Sequence, residues 1–187
     1  CYNLVMVTII FESHGTTFDN MNEISSGHAD AKLSPLGKKQ AGELGKRYEG
    51  KQPDAVFCSD LSRSYETGEI AFEESNVPII KDARLRECDY GDYTQHPSEE
   101  VKALKPKYID EPFTNGESYR EASARMRSFL EDLLRDYDGK TVMVIGHRAT
   151  QYGLEHWILG KPLLEVVTAP WEWQPGWIYR LETLPQN

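Results

Sequence analysis

LVMVTIIF, residues 4 to 11, is an unbroken apolar run of strand length, rich in β-branched residues. No other feature limits the fold as strongly. A strand exposed on one face alternates apolar and polar side chains, whereas a strand apolar at every position has to be covered on both faces, as in a parallel sheet flanked by helices. TVMVIGH (141–147) repeats the pattern, and DAVFCSD and VPIIKD carry weaker versions of it. Helical stretches lie between these runs. Ser34 followed by Pro35 predicts an N-cap and a first helical position, after which Ala41, Leu44 and Tyr48 share one face. Tyr119, Ala122, Met126, Phe129, Leu130, Leu133, Leu134 and Tyr137 keep a 3.6-residue period and predict a long amphipathic helix. Strand and helix in alternation predict an α/β fold: a three-layer α/β/α sandwich with a mostly parallel sheet, with a last strand in GWIYRLETL.

The chain has 187 residues, 39% of them hydrophobic and 27% charged, which suits one domain over 1–187. Residues 85–115 show no clean period and carry Pro97, Pro106 and Pro112. A cap-like irregular insertion of loop or short helices over one sheet edge is expected there. A formal net charge of -9, without a run of lysines or arginines, argues against nucleic acid as a partner, since binding its backbone needs a cationic footprint. No apolar stretch reaches the roughly 18 residues of a membrane helix, and a signal-peptide layout is missing; no membrane partner and a cytoplasmic location are expected. The chain opens on Cys1 rather than Met, and its extreme N-terminus is left uninterpreted. Cys1, Cys58 and Cys88 have neither an even count nor a C-x-x-C spacing, so buried or incidental thiols are expected rather than disulfides or a zinc site.

Open parallel sheets bind ligands at the carboxyl ends of their strands. Glu12, Ser13, His14 and Gly15 follow the first strand, Asp60 and Arg63 the second, Arg86 and Glu87 the third, and His147 and Arg148 follow TVMVIG. Each alone reads as an ordinary structural or surface residue. Together on one rim they make a set suited to phosphoryl transfer: an imidazole nucleophile, donors for phosphate oxygens, and an acid for the leaving oxygen.

The segments around these residues carry a resemblance. SHGTTFDN, GHADAKLSPLGKKQA, SDLSRSYET, LRECDYGDY, GESYREASARMRSFL and VMVIGH occur in the order of the motifs of the histidine phosphatase superfamily, which the chain resembles from Val5 to about Trp157. The family's signature, R-H-G-x-T-x-x-N, is matched at His14, Gly15, Thr17 and Asn20 and departs at Ser13. The resemblance implies the phosphoglycerate mutase-like fold and hydrolysis of a small phosphorylated substrate without metal or organic cofactor. It implies that His14 attacks phosphorus and is freed by water, that Arg63 and His147 bind the phosphoryl oxygens, and that Glu87 protonates the leaving alcohol. Gly15, Thr17 and Asn20 would support the phosphate-binding turn.

Ser13 stands where the family has a cationic phosphate clamp. Loss of one charge-assisted donor costs on the order of 1.5–3 kcal/mol, and Glu12 beside it adds an anion. Arg148, where the family usually has glycine, is a candidate replacement; the alternative is that it pairs with an acid such as Glu12. A metal-independent phosphomonoesterase is the leading expectation. A degenerate member that binds a phosphorylated metabolite or a protein partner is the alternative. A mutase ranks below both, because 87–116 is short and lacks a basic cluster, and a metal site on Glu12, His14 and His147 ranks lower still. His28 is expected to be solvent-exposed, with the pocket mouth as its alternative, and His96 and His156 to be surface or structural. Trp171, Trp173 and Trp177 are expected to form an apolar corner, or alternatively a homodimer interface.

Overall fold

The first apolar run becomes β1 (Val7–Ser13). It extends beyond Phe11 because Glu12 and Ser13 still pair with Ile145 and Gly146 of a neighbouring strand. The structure is a computed structural model and describes residues 6–185; Cys1, Leu4 and Val5 lie outside the described residues. After β1 come α1 (Phe18–Met21), β2 (Ile24–Ser25), α2 (Pro35–Arg47), β3 (Ala55–Cys58), α3 (Ser62–Ala71) and β4 (Ile79–Lys81). Then follow β5 (His96–Pro97), α4 (Ser98–Leu104), α5 (Tyr119–Asp136), β6 (Thr141–Gly146), α6 (Arg148–Leu159), α7 (Leu163–Thr168) and β7 (Trp177–Leu181). The main sheet runs β4-β3-β6-β1-β7. Its first four strands are parallel, and β7 joins β1 antiparallel at the edge.

The doubly covered strands explain the continuous apolar runs. Successive side chains of a strand point to opposite faces. Val142 and Val144 therefore meet Met126, Phe129 and Leu130 of α5 on one side, while Met143 and Ile145 meet Leu44 and Phe72 on the other. This gives the three layers: α2 and α3, the sheet, then α5 and α6. Both predicted helix starts are capped. Ser34 Oγ accepts from Gly37 N, and Ser118 forms a reciprocal cap with Glu121 ahead of α5.

Residues 85–115 are more ordered than their composition predicts. They form a 3-10 turn at Gly91–Tyr93, β5 and α4, and β5 pairs antiparallel with β2. Each element is too short to register as a period; order comes from packing. Tyr108 stacks on Phe113 with centroids 3.9 Å apart, in an apolar cluster that also holds Cys88, Tyr90, Val101 and Tyr119. Cys58 and Cys88 are buried free thiols. No helix among the described residues is long and apolar enough to cross a membrane.

Candidate active site

The carboxyl ends of β1, β3 and β6 lie side by side, so the turns that follow them converge. The turn after β1 is built by close backbone approach. A Cβ on Gly15 would lie 2.5 Å from the carbonyl oxygen of Gly37, and one on Gly37 would lie 2.1 Å from that of Thr16. The two glycines thus let the first turn of α2 press against the loop carrying His14. Gly15 N–H donates to Thr67 Oγ1 at 3.0 Å, which ties the same loop to α3. Thr17 is fully buried and caps α1: its hydroxyl accepts from Asn20 N while Asn20 Oδ1 accepts from Thr17 N, each at 3.0 Å. Thr17 therefore holds the loop in shape. Asn20, whose carboxamide nitrogen is not used in that cap, borders the cleft.

His14 is part-buried, and its Nδ1 lies 2.8 Å from the carbonyl of Gly15. A carbonyl only accepts, so Nδ1 carries the proton and the lone pair is on Nε2. Burial pushes its pKa down to about 3, the charge of Arg63 acts in the same direction, and the bond to Gly15 opposes them. The ring is thus a neutral imidazole. The ring of His147 lies 5.0 Å away, centroid to centroid. His147 is buried, with Ser59 Oγ 2.6 Å from Nε2, and its Nδ1 has no hydrogen-bond partner among the described residues. Its pKa is also held well below the ordinary value, first by desolvation and then by Arg63 and His14. Ser59 occupies Nε2, so Nδ1 is the ring nitrogen left to meet a bound anionic oxygen, as a donor when it carries the proton.

Arg63 is buried at the start of α3 and donates to the carbonyls of Ala29 and Gly27 at 2.8 and 2.7 Å. A guanidinium has five N–H donors, so these bonds orient Arg63 without exhausting it. Glu87 is buried and accepts from Cys88 N, Arg148 N and Ala149 N at 2.8 to 3.1 Å. Two of these donors open α6. Arg148 donates from one terminal nitrogen to Gln151 Oε1 at 2.8 Å. Its guanidinium lies 4.9 and 4.7 Å from the ring centroids of Tyr152 and Trp171.

Several expectations need correction. Arg148 does not pair with Glu12. That carboxylate is buried against Arg47 at 3.0 Å and Tyr48 Oη at 2.9 Å, so its charge is compensated from α2. Asp60 and Arg86 pair with each other at 2.6 Å and border neither cavity of the cleft. His28 is not freely exposed: Nε2 lies 2.7 Å from the Glu87 carbonyl. Trp171 stacks on Trp177 in an exposed apolar corner as expected, and Trp171 and Trp173 in addition line the cleft. Lys102 and Lys105 from the 85–115 segment also face it, so the segment supplies cations that its sequence spacing hid. His96 pairs with Glu100 at the surface, and His156 meets the Lys161 carbonyl. Among the described residues no three His, Cys, Asp or Glu side chains are grouped to hold a metal. Glu12 in particular is turned to Arg47 and Tyr48.

Two cavities open from His14. The larger, about 700 Å³, runs past Ser13 between α2 and the Trp171–Trp173 loop. The smaller, about 230 Å³, runs past Arg63 toward Lys102 and Lys105. Glu87 and Arg148 border both. A neutral imidazole flanked by guanidinium and imidazole donors, with a carboxylate shared by two cavities, is equipped to accept a phosphoryl group.

Residues 9–184 match the model of the histidine phosphatase superfamily, branch 1. The chain belongs to this superfamily. Phosphoserine phosphatase 1 of Hydrogenobacter thermophilus is 30% identical over 166 residues, covering 84% of this chain and 79% of that protein. A 2,3-bisphosphoglycerate-dependent phosphoglycerate mutase of Chelativorans sp. is 33% identical over 159 residues, 75% of each chain. Among solved structures, Bacillus stearothermophilus YhfR superposes with a TM-score of 0.80 at 25% identity, covering 92% of this chain and 90% of that one. The fold of this histidine phosphatase is accordingly phosphoglycerate mutase-like.

The resemblance had marked His14, Arg63, Glu87 and His147, and the fold brings them together. Ser59, which holds Nε2 of His147 at 2.6 Å, opens the SDLSRSYET segment, but its type and spacing gave no hint of the role. Trp171 and Trp173 stood out as a cluster in the sequence but not as cleft residues, and Lys102 and Lys105 left no local signal.

The buried imidazoles bear on acid stability. An unfolded-chain histidine titrates near 6.5, against about 3 for folded His14. Between these values the unfolded state binds a proton that the folded state does not, so stability falls as pH drops from 6.5 toward 3. His14 contributes a slope of up to about 1.4 kcal/mol per pH unit, and nothing above 6.5. In urea titrations between about pH 6.5 and 4.5, His14→Ala is expected to lose less stability than wild type. Parallel losses in the two proteins would show that His14 is not held neutral.

Proposed function

We propose that this chain hydrolyses phosphate monoesters without a metal, through a phosphohistidine on His14. Nε2 of His14 attacks phosphorus, the bond to the ester oxygen breaks, and Glu87 supplies the proton that makes the leaving group an alcohol. Water then attacks the phosphohistidine, giving its proton to Glu87, and inorganic phosphate and neutral His14 are restored. Arg63, Arg148 and His147 Nδ1 hold the phosphoryl oxygens, Asn20 adds an amide donor, and Arg148 supplies the positive charge that Ser13 lacks. Ser13 and Gly15 line the pocket wall beside His14, and Thr17 maintains the turn. The observation that carries this reading is the buried, unpartnered Nδ1 of His147 beside a His14 whose own Nδ1 is fixed on Gly15. An oxygen-rich anion bound to His14 satisfies it.

The test is phosphate release from a panel of monoesters with and without a chelator. Release unaffected by the chelator is expected. Chelator-sensitive release would instead favour a metal-dependent reaction, and no release from any ester would favour a member that binds without turnover. Lys102 and Lys105 give a specific reason to include a mutase assay, with 3-phosphoglycerate and a 2,3-bisphosphoglycerate primer. Isomerisation faster than phosphate release would make the smaller cavity a site for the second anionic group of a transferred substrate.

A further inference from the structure

The larger cavity has a wall that phosphoryl transfer does not use. Trp173 is 57% exposed, and Arg47, 5.9 Å from its ring centroid, is the cation set over it. Trp171 beside it is braced: its Nε1–H donates to Gln151 at 3.0 Å, and it stacks on Trp177 with centroids 6.0 Å apart. Ala41 and Leu44 of α2 also border this cavity, as do Ser13 and His14.

Charge separates the two cavities. The smaller one sets Arg63, Lys102, Lys105 and Arg148 against Glu87 and Glu99, an excess of positive charge that suits anionic groups. In the larger, Arg47 is matched by Glu12 at 3.0 Å, and Glu43 adds a further carboxylate at its border. Beyond Arg148, which borders both cavities, the cation of the larger one is already matched, so an anionic group away from the phosphoryl site gains little there. A flat uncharged ring removes the Trp173 surface from water and stacks on it, and rotational freedom lost by a rigid ring is small.

We propose that this cavity is a subsite for an uncharged aromatic ring borne by the leaving group of the substrate, with Trp173 as its stacking platform. The kinetic form of the proposal rests on the hydrolase reading above; the binding form does not.

Benzyl phosphate and cyclohexylmethyl phosphate test it, because both are alkyl esters of similar bulk and differ in the planarity and aromaticity of the ring. Wild type is expected to favour benzyl phosphate in kcat/KM by roughly 2- to 10-fold, the range that an added aromatic contact supports. In Trp173→Ala the ratio is expected to fall to about one, and Trp173→Phe is expected to restore part of it. A ratio of one in wild type, or a preference that survives Trp173→Ala, would overturn the subsite. If wild type hydrolyses neither ester, the hydrolase reading is decided by the wider ester panel, and the subsite is decided by tryptophan fluorescence. Benzyl phosphate is then expected to quench the emission at lower concentration than its cyclohexyl counterpart, and equal concentrations would sink the proposal.

Discussion

His14→Ala is expected to lower kcat for phosphate release by on the order of 10⁴–10⁶-fold, the scale seen when a covalent nucleophile is removed from a site otherwise intact. The size follows from what is left behind. His147 cannot take over, because Ser59 holds its Nε2 at 2.6 Å and its ring centroid is 5.0 Å from that of His14. Arg63 and Arg148 carry no lone pair that can form a bond to phosphorus. The variant should fold, since His14 is only part-buried and the turn is held by Thr67, Thr17 and the Gly15 contact with Gly37. The matching chemical signature is a protein-bound phosphate in rapidly quenched wild type, stable in alkali and lost in acid, and missing from His14→Ala. Equal turnover in the two proteins would remove the phosphohistidine mechanism.

The sheet was legible because a doubly covered strand leaves a continuous apolar run, and the rim was legible because a parallel sheet delivers the residues after its strands to one edge. α5 could be read from its period for the same reason: one face packs on the sheet and the other meets water. Charge pairing was not legible. Nothing in the order of residues shows that Glu12 is neutralised by Arg47, 35 positions away, or that Asp60 takes Arg86 away from the site. The 85–115 segment was opaque because its order resides in long-range contacts such as Tyr93 with Tyr108 and Phe113. The same holds for Trp171 and Trp173. Their loop has no helix or strand of its own, and only the position of α6 beneath it brings Trp171 to Gln151.

Arg148→Ala is expected to reduce kcat/KM by about 10- to 10³-fold, the cost of losing one charged donor to a developing anion. Ser13 lacks the cation that the family has there, and Arg148 is the replacement that the sequence already offered from the neighbouring strand. β1 and β6 are adjacent and parallel, with Ser13 opposite Gly146, so a guanidinium starting just after β6 reaches the same cleft as one starting at the end of β1. Arg148 is also preorganised: Gln151 orients one terminal nitrogen, and the rings of Tyr152 and Trp171 lie within 4.9 Å of its guanidinium carbon, which reduces the ordering it undergoes when phosphate binds. Arg148→Lys keeps the charge without the planar fork and should fall between alanine and wild type. Ser13→Arg provides the discriminating background. If Arg148 supplies the missing charge, Ser13→Arg alone changes kcat/KM little, while in Arg148→Ala it restores much of the lost rate. The opposite pattern, a rate gain from Ser13→Arg alone together with an Arg148→Ala within about twofold of wild type, would mean that the clamp is unrepaired and that Arg148 only braces the tryptophan wall.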